Sequence, residues 1–238
     1  MLRLESLSCG YGQFCAVHEL SLQVEQGSVF ALVGANGAGK SSTIMAIAGH
    51  VGVQGGRIVL DAHDITTMPI RDRVRAGIAI VPEGRKLFPD LSVEENLMVG
   101  GYTRSRGQAE NTKTKVFDLF PRIAERRKQT AGSLSGGEQQ MVAIGRGLMA
   151  EPKLLMIDEV SLGLMPKMVD ICYQAIRRLE QEGMTILLVE QSTKRALEIS
   201  HQVCVLESGR AVWQGPATEA RDDPALIEAY LGMREETA

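Results

Sequence analysis

No apolar run in the 238-residue sequence approaches the roughly 20 residues that a membrane-spanning helix needs. Contact with a bilayer would therefore come through a partner. Nor does the chain open with the basic and apolar regions of a secretory signal; Met1-Leu2-Arg3-Leu4-Glu5 reads as the start of a strand. Cysteine is scarce. Cys9, Cys15, Cys172 and Cys204 are scattered without a C-x-x-C pair, which argues against a disulfide framework or a thiolate metal site and for reduced thiols in a cytosolic protein. The four histidines form no ligand-like spacing. Basic charge is not in excess: the formal net charge is −3 and the pI near 5.9, so no electrostatic footprint for nucleic acid or lipid headgroups is indicated. The local cluster Arg122, Arg126, Arg127 and Lys128 reads as a solvated helix face. There is no internal repeat and no sustained heptad run. What remains, 44% hydrophobic and 23% charged residues, is the composition of a globular chain with a sizeable core.

Against that background one stretch stands out, Gly34-Ala35-Asn36-Gly37-Ala38-Gly39-Lys40-Ser41-Ser42. It follows the apolar run Val29-Phe30-Ala31-Leu32-Val33 and leads into Thr43-Ile44-Met45-Ala46-Ile47-Ala48, the order strand, glycine-rich loop, helix. It fits the phosphate-loop pattern G-x-x-x-x-G-K-[ST]. The glycines let consecutive backbone N–H groups face one concavity, and the helix N-terminus adds partial positive charge. Lys40 would bring a full charge to the β- and γ-phosphates, and the Ser41 hydroxyl would be a Mg²⁺ ligand. The chain is expected to bind a nucleoside triphosphate.

Along the rest of the chain, residues 1–28 read as a β-rich subdomain, with alternation in Leu2-Arg3-Leu4 and Leu20-Ser21-Leu22-Gln23-Val24. Tyr11, in the turn Gly10-Tyr11-Gly12, is either core or a platform for a base. Gly55-Gly56 introduces the strand Arg57-Ile58-Val59-Leu60, and Ile78-Ala79-Ile80-Val81 forms another that Pro82 stops. From about 82 to 149 the pattern becomes helical and more charged, with Ser92 as a helix N-cap, Gly100-Gly101 as a helix end and 103–114 as a surface loop. We expect a single domain in which this helical subdomain interrupts an α/β core of residues 29–81 and 150–238. Leu154-Leu155-Met156-Ile157 and Met184-Thr185-Ile186-Leu187-Leu188-Val189 read as strands covered on both faces, with a helix over 167–182 between them. A helix over 193–199, a hairpin around Ser208-Gly209 and short helices over 216–231 complete the chain.

Hydrolysis needs a carboxylate to hold the metal, and Asp158 is placed for it at the C-terminal tip of a buried strand. Glu159 follows directly and could act as general base or orient the attacking water. A second anion-binding element is Leu134-Ser135-Gly136-Gly137-Glu138-Gln139-Gln140, small residues opening a helix whose N–H groups can face an anion. A second such site makes sense if it completes the nucleotide pocket of another subunit.

With this stretch between the phosphate loop and Asp158-Glu159, the sequence resembles the ATP-binding subunits of ABC transporters, whose signature begins Leu-Ser-Gly-Gly. The resemblance covers nearly the whole chain. It implies an α/β P-loop NTPase fold of the ABC type: a RecA-like core, an N-terminal antiparallel β-subdomain and an inserted helical subdomain. It also implies ATP and Mg²⁺ as ligands and a head-to-tail pair of chains, in which Leu134, Ser135, Gly136, Gly137 and Glu138 act on the partner's ATP. Tyr11 then falls where the family stacks an aromatic on adenine.

The stretches Ile80-Val81-Pro82-Glu83-Gly84-Arg85, Phe88-Pro89, Ser161-Leu162-Gly163-Leu164, Leu188-Val189-Glu190-Gln191 and Ala229-Tyr230-Leu231-Gly232 are similar to the second ATPase subunit of branched-chain amino-acid importers. This implies a peripheral subunit on the cytoplasmic face of the inner membrane. Its partners would be a sister ATPase or a second copy of itself, two integral-membrane permease subunits and, indirectly, an extracytoplasmic amino-acid-binding protein; nucleic acid is not among them. Arg85, Leu87 and Phe88 would lie near the permease contact. Three residues depart from the wider family. Glu83 stands where a glutamine usually touches Mg²⁺, Gln191 replaces a histidine that contacts the γ-phosphate, and Leu164 replaces an aspartate of the dimer contact. The Gln191 amide can still donate a hydrogen bond but carries no proton charge. Other cargo, such as urea or short amides, remains open, as does a soluble ABC ATPase working on nucleic acid or ribosomes. The single phosphate loop and acidic pI speak against the latter.

Overall fold

The computed structural model describes residues 1–222, so most of the tail expected to carry short helices, with Ala229-Tyr230-Leu231-Gly232, lies outside the described residues. Two compact units are present: residues 1–70 with 185 onward, and residues 71–184.

The first unit opens with β1 (Leu2–Tyr11) and β2 (Phe14–Val24), joined by a tight turn at Gly12-Gln13. Leu2 and Leu4 are buried, and so are Leu7 and Cys9: the buried set switches from even to odd positions within one strand. A bulge does this. Ser6 has a positive φ of 48° and the register shifts between Leu4 and Leu7, which restores the apolar face after the extra residue. β3 (Val29–Val33) is buried at every position and leads into α1 (Lys40–Ala48), which ends on the left-handed Gly49. β4 (Gly52–Leu60) and β5 (His63–Asp64) complete an antiparallel sheet of order β2-β1-β4-β5. The β-subdomain expected over 1–28 is thus extended by strands that follow the phosphate loop. A strand beginning before Gly55 was not legible, because Gly52, Gly55 and Gly56 look like turn residues; Gly56 instead lies against β1, and a Cβ there would come within 2.2 Å of the Ser6 carbonyl oxygen.

The second unit contains α2 (Ile70–Ala76, its first residue at the unit boundary), β6 (Ile78–Val81), α3 (Val93–Gly100), α4 (Arg106–Leu119), α5 (Pro121–Glu125), a 3₁₀ turn (Ala131–Ser133), α6 (Gly136–Leu148), β7 (Leu154–Asp158) and α7 (Pro166–Gln181). β6 and β7 pair in parallel. α4 corrects the surface loop expected over 103–114. Ser105 and Gln108 form a capping box that starts the helix, and its inner face buries Thr112 and Lys113 beside Ala109 and Val116. Lys113 is paired with Glu94 and Glu110, and the Thr112 hydroxyl donates to Glu151 at 2.6 Å. A polar residue pair on the buried face hides the helical period from a hydrophobicity reading.

The chain then returns to the first unit with β8 (Thr185–Glu190), α8 (Thr193–Ile199), β9 (Gln202–Glu207), β10 (Arg210–Pro216) and α9 (Ala217–Asp222). β3 lies between β8 and β9, parallel to both, with β10 antiparallel on the far side of β9. Ser208 and Gly209 both have positive φ, 49° and 78°, the condition for the two-residue turn that matches strand twist. Among the described residues no helix is long and apolar enough to cross a membrane.

Candidate functional site

In the first unit, β3 delivers the chain into the loop Gly34–Gly39 and α1 begins at Lys40. Three glycines bend it, Gly34, Gly37 and Gly39 having φ of 153°, 81° and 101°. Gly34 and Gly39 are also packed hard from outside: a Cβ would come within 2.2 Å of the Leu206 carbonyl oxygen and 2.9 Å of that of Ala16, respectively. Gly37 faces open space. Lys40 is 4% exposed, and its ammonium donates to the carbonyls of Gly34 and Ala35 at 2.9 and 3.1 Å. This holds a cation over the loop. Thr43 fastens the first helical turn, its hydroxyl donating to Gly39 O at 2.9 Å. The result is a cradle of backbone donors, a helix N-terminus and one buried ammonium, which fits a polyphosphate.

The β9–β10 turn buttresses this cradle. Gly209 N–H donates to Ala38 O at 3.0 Å, and its carbonyl accepts from His18 N–H at 2.8 Å. One residue in a distant hairpin thus ties the phosphate loop to β2. β8 ends on Glu190, 1% exposed, whose Cα pairs with Val33, the residue before the loop. Gln191 follows it and is exposed. Tyr11, at the end of β1, is 57% exposed, while two residues earlier the Cys9 thiol lies 3.8 Å from the Ser42 carbonyl. Tyr11 is therefore not core, and the strand that carries it runs beside α1. Burial pushes the Cys9 thiol up to about 11, with Cys15 adding to it, so it stays protonated at neutral pH.

The phosphate loop and the acid pair Asp158-Glu159 fall in different units. Asp158 ends β7 and is 1% exposed; Glu159, half-buried, is held at a positive φ of 52°, a conformation unfavourable for a side-chain-bearing residue. The Ser41 hydroxyl in the first unit and the Asp158 carboxylate in the second are each hard oxygen donors, the type Mg²⁺ takes. No group of three or more His, Cys, Asp or Glu able to hold a metal occurs among the described residues. Glu83 is exposed in the loop after β6.

The stretch Leu134 to Glu138 forms the start of α6. Ser135 is the exposed N-cap, Leu134 is buried beneath it, and Glu138 closes a capping box: its carboxylate accepts from Ser135 N–H at 2.9 Å and from the Ser135 hydroxyl at 2.8 Å. Gly137 allows close approach by α7, since a Cβ would meet Met168 at 2.3 Å. At Gly136 a Cβ would lie 3.3 Å from the Arg85 guanidinium, so the Arg85 side chain reaches the signature helix, a position its place in the sequence did not suggest. The backbone around Arg85 is anchored by Arg146, which donates to the carbonyls of Arg85 and Lys86 and sits over the Phe88 ring.

Arg122 and Arg126 form ion pairs with Glu138 at 2.8 and 3.1 Å, where a solvated helix face was expected. Glu138 is 4% exposed. Burial alone would raise its pKa, but Arg122, both Ser135 donors and Arg126 together bring it down to about 2.

The profile of the ABC transporter family matches residues 17–161. Over 98% of this chain and 100% of the relative, the sequence is 42% identical to the high-affinity branched-chain amino acid transport ATP-binding protein BraG of Pseudomonas aeruginosa. The chain belongs to the ABC transporter family. A second relative, the probable branched-chain amino acid transport ATP-binding protein LivF of Archaeoglobus fulgidus, is 37% identical over 98% of this chain and 99% of the relative. The ADP form of MJ1267, an ATP-binding cassette of an ABC transporter, superposes with a TM-score of 0.86 at 25% identity, covering 98% of this chain and 99% of that one. The P-loop NTPase fold of the ABC type, nucleotide binding and ATPase class expected from the motifs are thereby shown. Leu164, where the wider family has an aspartate, is half-buried in the turn between β7 and α7.

Proposed function

We propose that this chain is the ATP-hydrolysing motor subunit of an importer for branched-chain, apolar amino acids. The observation that carries the cargo is the end-to-end similarity to BraG, at 42% identity with both chains covered almost completely. The chemistry rests on the site. Gly34, Ala35, Asn36, Gly37, Ala38 and Gly39 wrap the phosphates with backbone N–H groups, Lys40 neutralises their charge, and Ser42 follows in the first helical turn. Tyr11 offers its exposed ring to the adenine. Ser41 and Asp158 would hold Mg²⁺, with Glu83 as a further oxygen donor, and the ion would supply positive charge that offsets the phosphates. Glu159 orients the attacking water and accepts its proton, and the Gln191 amide donates to the γ-phosphate.

In this reading the signature stretch serves a second chain's nucleotide, so the active unit is a head-to-tail pair with a sister ATPase or another copy. ATP binding closes the pair and hydrolysis reopens it. The loop with Arg85, Leu87 and Phe88 receives the permease; Phe88 is 47% exposed there. The pair works against two permease subunits at the cytoplasmic face of the membrane, with an extracytoplasmic binding protein delivering the amino acid.

The test is ATP hydrolysis as a function of chain concentration, with and without vesicles containing the permease subunits, together with uptake of labelled leucine. A rate per chain that rises with concentration and again with permease supports a composite, coupled site. A rate unaffected by either but stimulated by nucleic acid refutes the transport reading, and coupling without leucine uptake refutes the cargo.

A further inference from the structure

The Ser135 hydroxyl is the exposed polar group of the signature, yet it is not poised to bind an anion. It has one proton. At 2.8 Å from a carboxylate that can only accept, that proton points at Glu138, while Glu138 N–H approaches the same oxygen at 3.4 Å. What the hydroxyl shows to an incoming phosphate is therefore a lone pair, with a buried carboxylate behind it. Recognition requires the proton to turn outward. When it does, Glu138 loses a donor and keeps the Ser135 N–H, and its charge must be held by something else.

Arg122 and Arg126 supply that hold. Their Nε atoms reach the other carboxylate oxygen at 2.8 and 3.1 Å, from side chains that are themselves 57% and 42% exposed. We propose that Arg122 and Arg126 are positioning residues for Ser135: by neutralising Glu138 they let the Ser135 hydroxyl transfer its hydrogen bond from that carboxylate to a phosphate oxygen of the nucleotide held by a second chain. This rests on the two-chain reading above. No bond is broken other than the hydrogen bond, and the proton stays on Ser135 throughout. Without the arginines, Glu138 is an uncompensated charge close behind the hydroxyl that meets the phosphate, and it competes for the only proton that phosphate could use.

The experiment is a charge cycle on the full chain. The double variant Arg122→Gln/Arg126→Gln, the single variant Glu138→Gln and the triple combination are compared with wild type for kcat and for the affinity of each chain for a fluorescent ATP analogue. With Glu138 present, removing both arginines lowers kcat about tenfold or more, because a donor to the developing charge is withheld. ATP affinity of the single chain changes by less than about twofold, since the signature serves the other chain's nucleotide. In the Glu138→Gln background, the same arginine changes cost less than about twofold in kcat, there being no charge left to neutralise. Lysines at both positions, Arg122→Lys/Arg126→Lys, keep the charge and recover most of the activity, which separates neutralisation from folding support. Equal losses with and without the Glu138→Gln change, or no loss in either background, overturn the proposal. ATP-dependent dimerisation of Glu159→Gln is followed in parallel: if that variant stays monomeric, the two-chain reading falls and the proposal with it, whereas a dimer with equal losses removes the proposal alone.

Discussion

Asn96 is the residue we would remove first to learn what holds the loop between β6 and α3. It is fully buried, and its side chain is bonded throughout to main chain: Oδ1 accepts from Phe88 N–H at 3.0 Å, and Nδ2 donates to Phe88, Leu91 and Ser92 carbonyls at 3.0, 3.2 and 3.0 Å. In Asn96→Leu, which keeps the number and branching of side-chain heavy atoms, three of those partners are not orphaned. Leu91 O also accepts from Ala131 N–H and Ser92 O from the Asn96 amide itself, both at 2.9 Å, and Phe88 O accepts from Leu91 N–H at 3.2 Å. Of the four groups, the Phe88 N–H alone loses its partner. An unsatisfied buried group costs about 1–3 kcal/mol, and Phe88 is exposed enough for water to offset part, so we expect about 1–2 kcal/mol in all. For a chain of this size that is a fall of about 2–8 °C in thermal midpoint. Circular dichroism melting measures it. The affinity of the single chain for ATP should stay unchanged, because the phosphate loop lies in the other unit, while stimulation by permease should drop with the loop loosened. A midpoint shift below about 2 °C would refute the reasoning.

Four further outcomes are expected. Lys40→Ala removes the buried ammonium over the loop and abolishes ATP binding; micromolar affinity by fluorescence titration would show that the charge is not needed. Glu159→Gln keeps binding, stops turnover and accumulates an ATP-bound dimer on size exclusion; undiminished hydrolysis would place the base elsewhere, with Gln191 and Glu83 next to examine. Glu138 has its pKa lowered from about 4.5 to about 2, so its ionised contacts contribute stability above the higher value and lose it as pH falls through the lower. The share of stability that depends on Glu138 ionisation, on the order of 3 kcal/mol, should be lost between about pH 4.5 and 2 in wild type and not in Glu138→Gln, and a difference between the two that is independent of pH in urea titrations would contradict this. Gly209→Ala puts a methyl 2.5 Å from Ala16 O at a φ of 78°, so both hydrogen bonds of the buttress must yield. ATP affinity should weaken about tenfold, equivalent to about 1.4 kcal/mol; an unchanged Kd would mean the turn merely adjoins the loop.

How much of this was legible depended on the range over which each feature is encoded. The phosphate loop, the acid pair after β7 and the Ser135 cap are local: a few consecutive residues carry both the geometry and the chemistry, and each falls in the element its own stretch of chain forms. α4 was hidden because its buried face spends two positions on Thr112 and Lys113, whose partners Glu151 and Glu94 lie elsewhere in the chain. Gly209 could not be linked to Ala38 without the strand order β10-β9-β3, since nothing in a hairpin sequence names the strand it will lie beside. Glu190 carries a signal of its own, a carboxylate closing an apolar run as Asp158 does.

Arg122 and Arg126 show most plainly why composition misled. Four cations within seven residues look like solvent-facing charge, and by exposure these two are half solvent-facing. Their function lies in the other half. The guanidinium ends converge on one carboxylate that is 4% exposed, sixteen positions beyond Arg122, at the N-terminus of a helix that would otherwise favour an anion from outside. An internal anion at that place either excludes an external one or must be neutralised, because two negative charges cannot share one helix N-terminus without a cation between them. The capping box makes α6 start at Ser135 whether or not a nucleotide arrives. The arginines decide whether the same carboxylate that starts the helix also blocks it. Structure-forming and phosphate-recognising demands thus meet on Glu138, and the chain separates them by placing the compensating charge outside the helix that carries it.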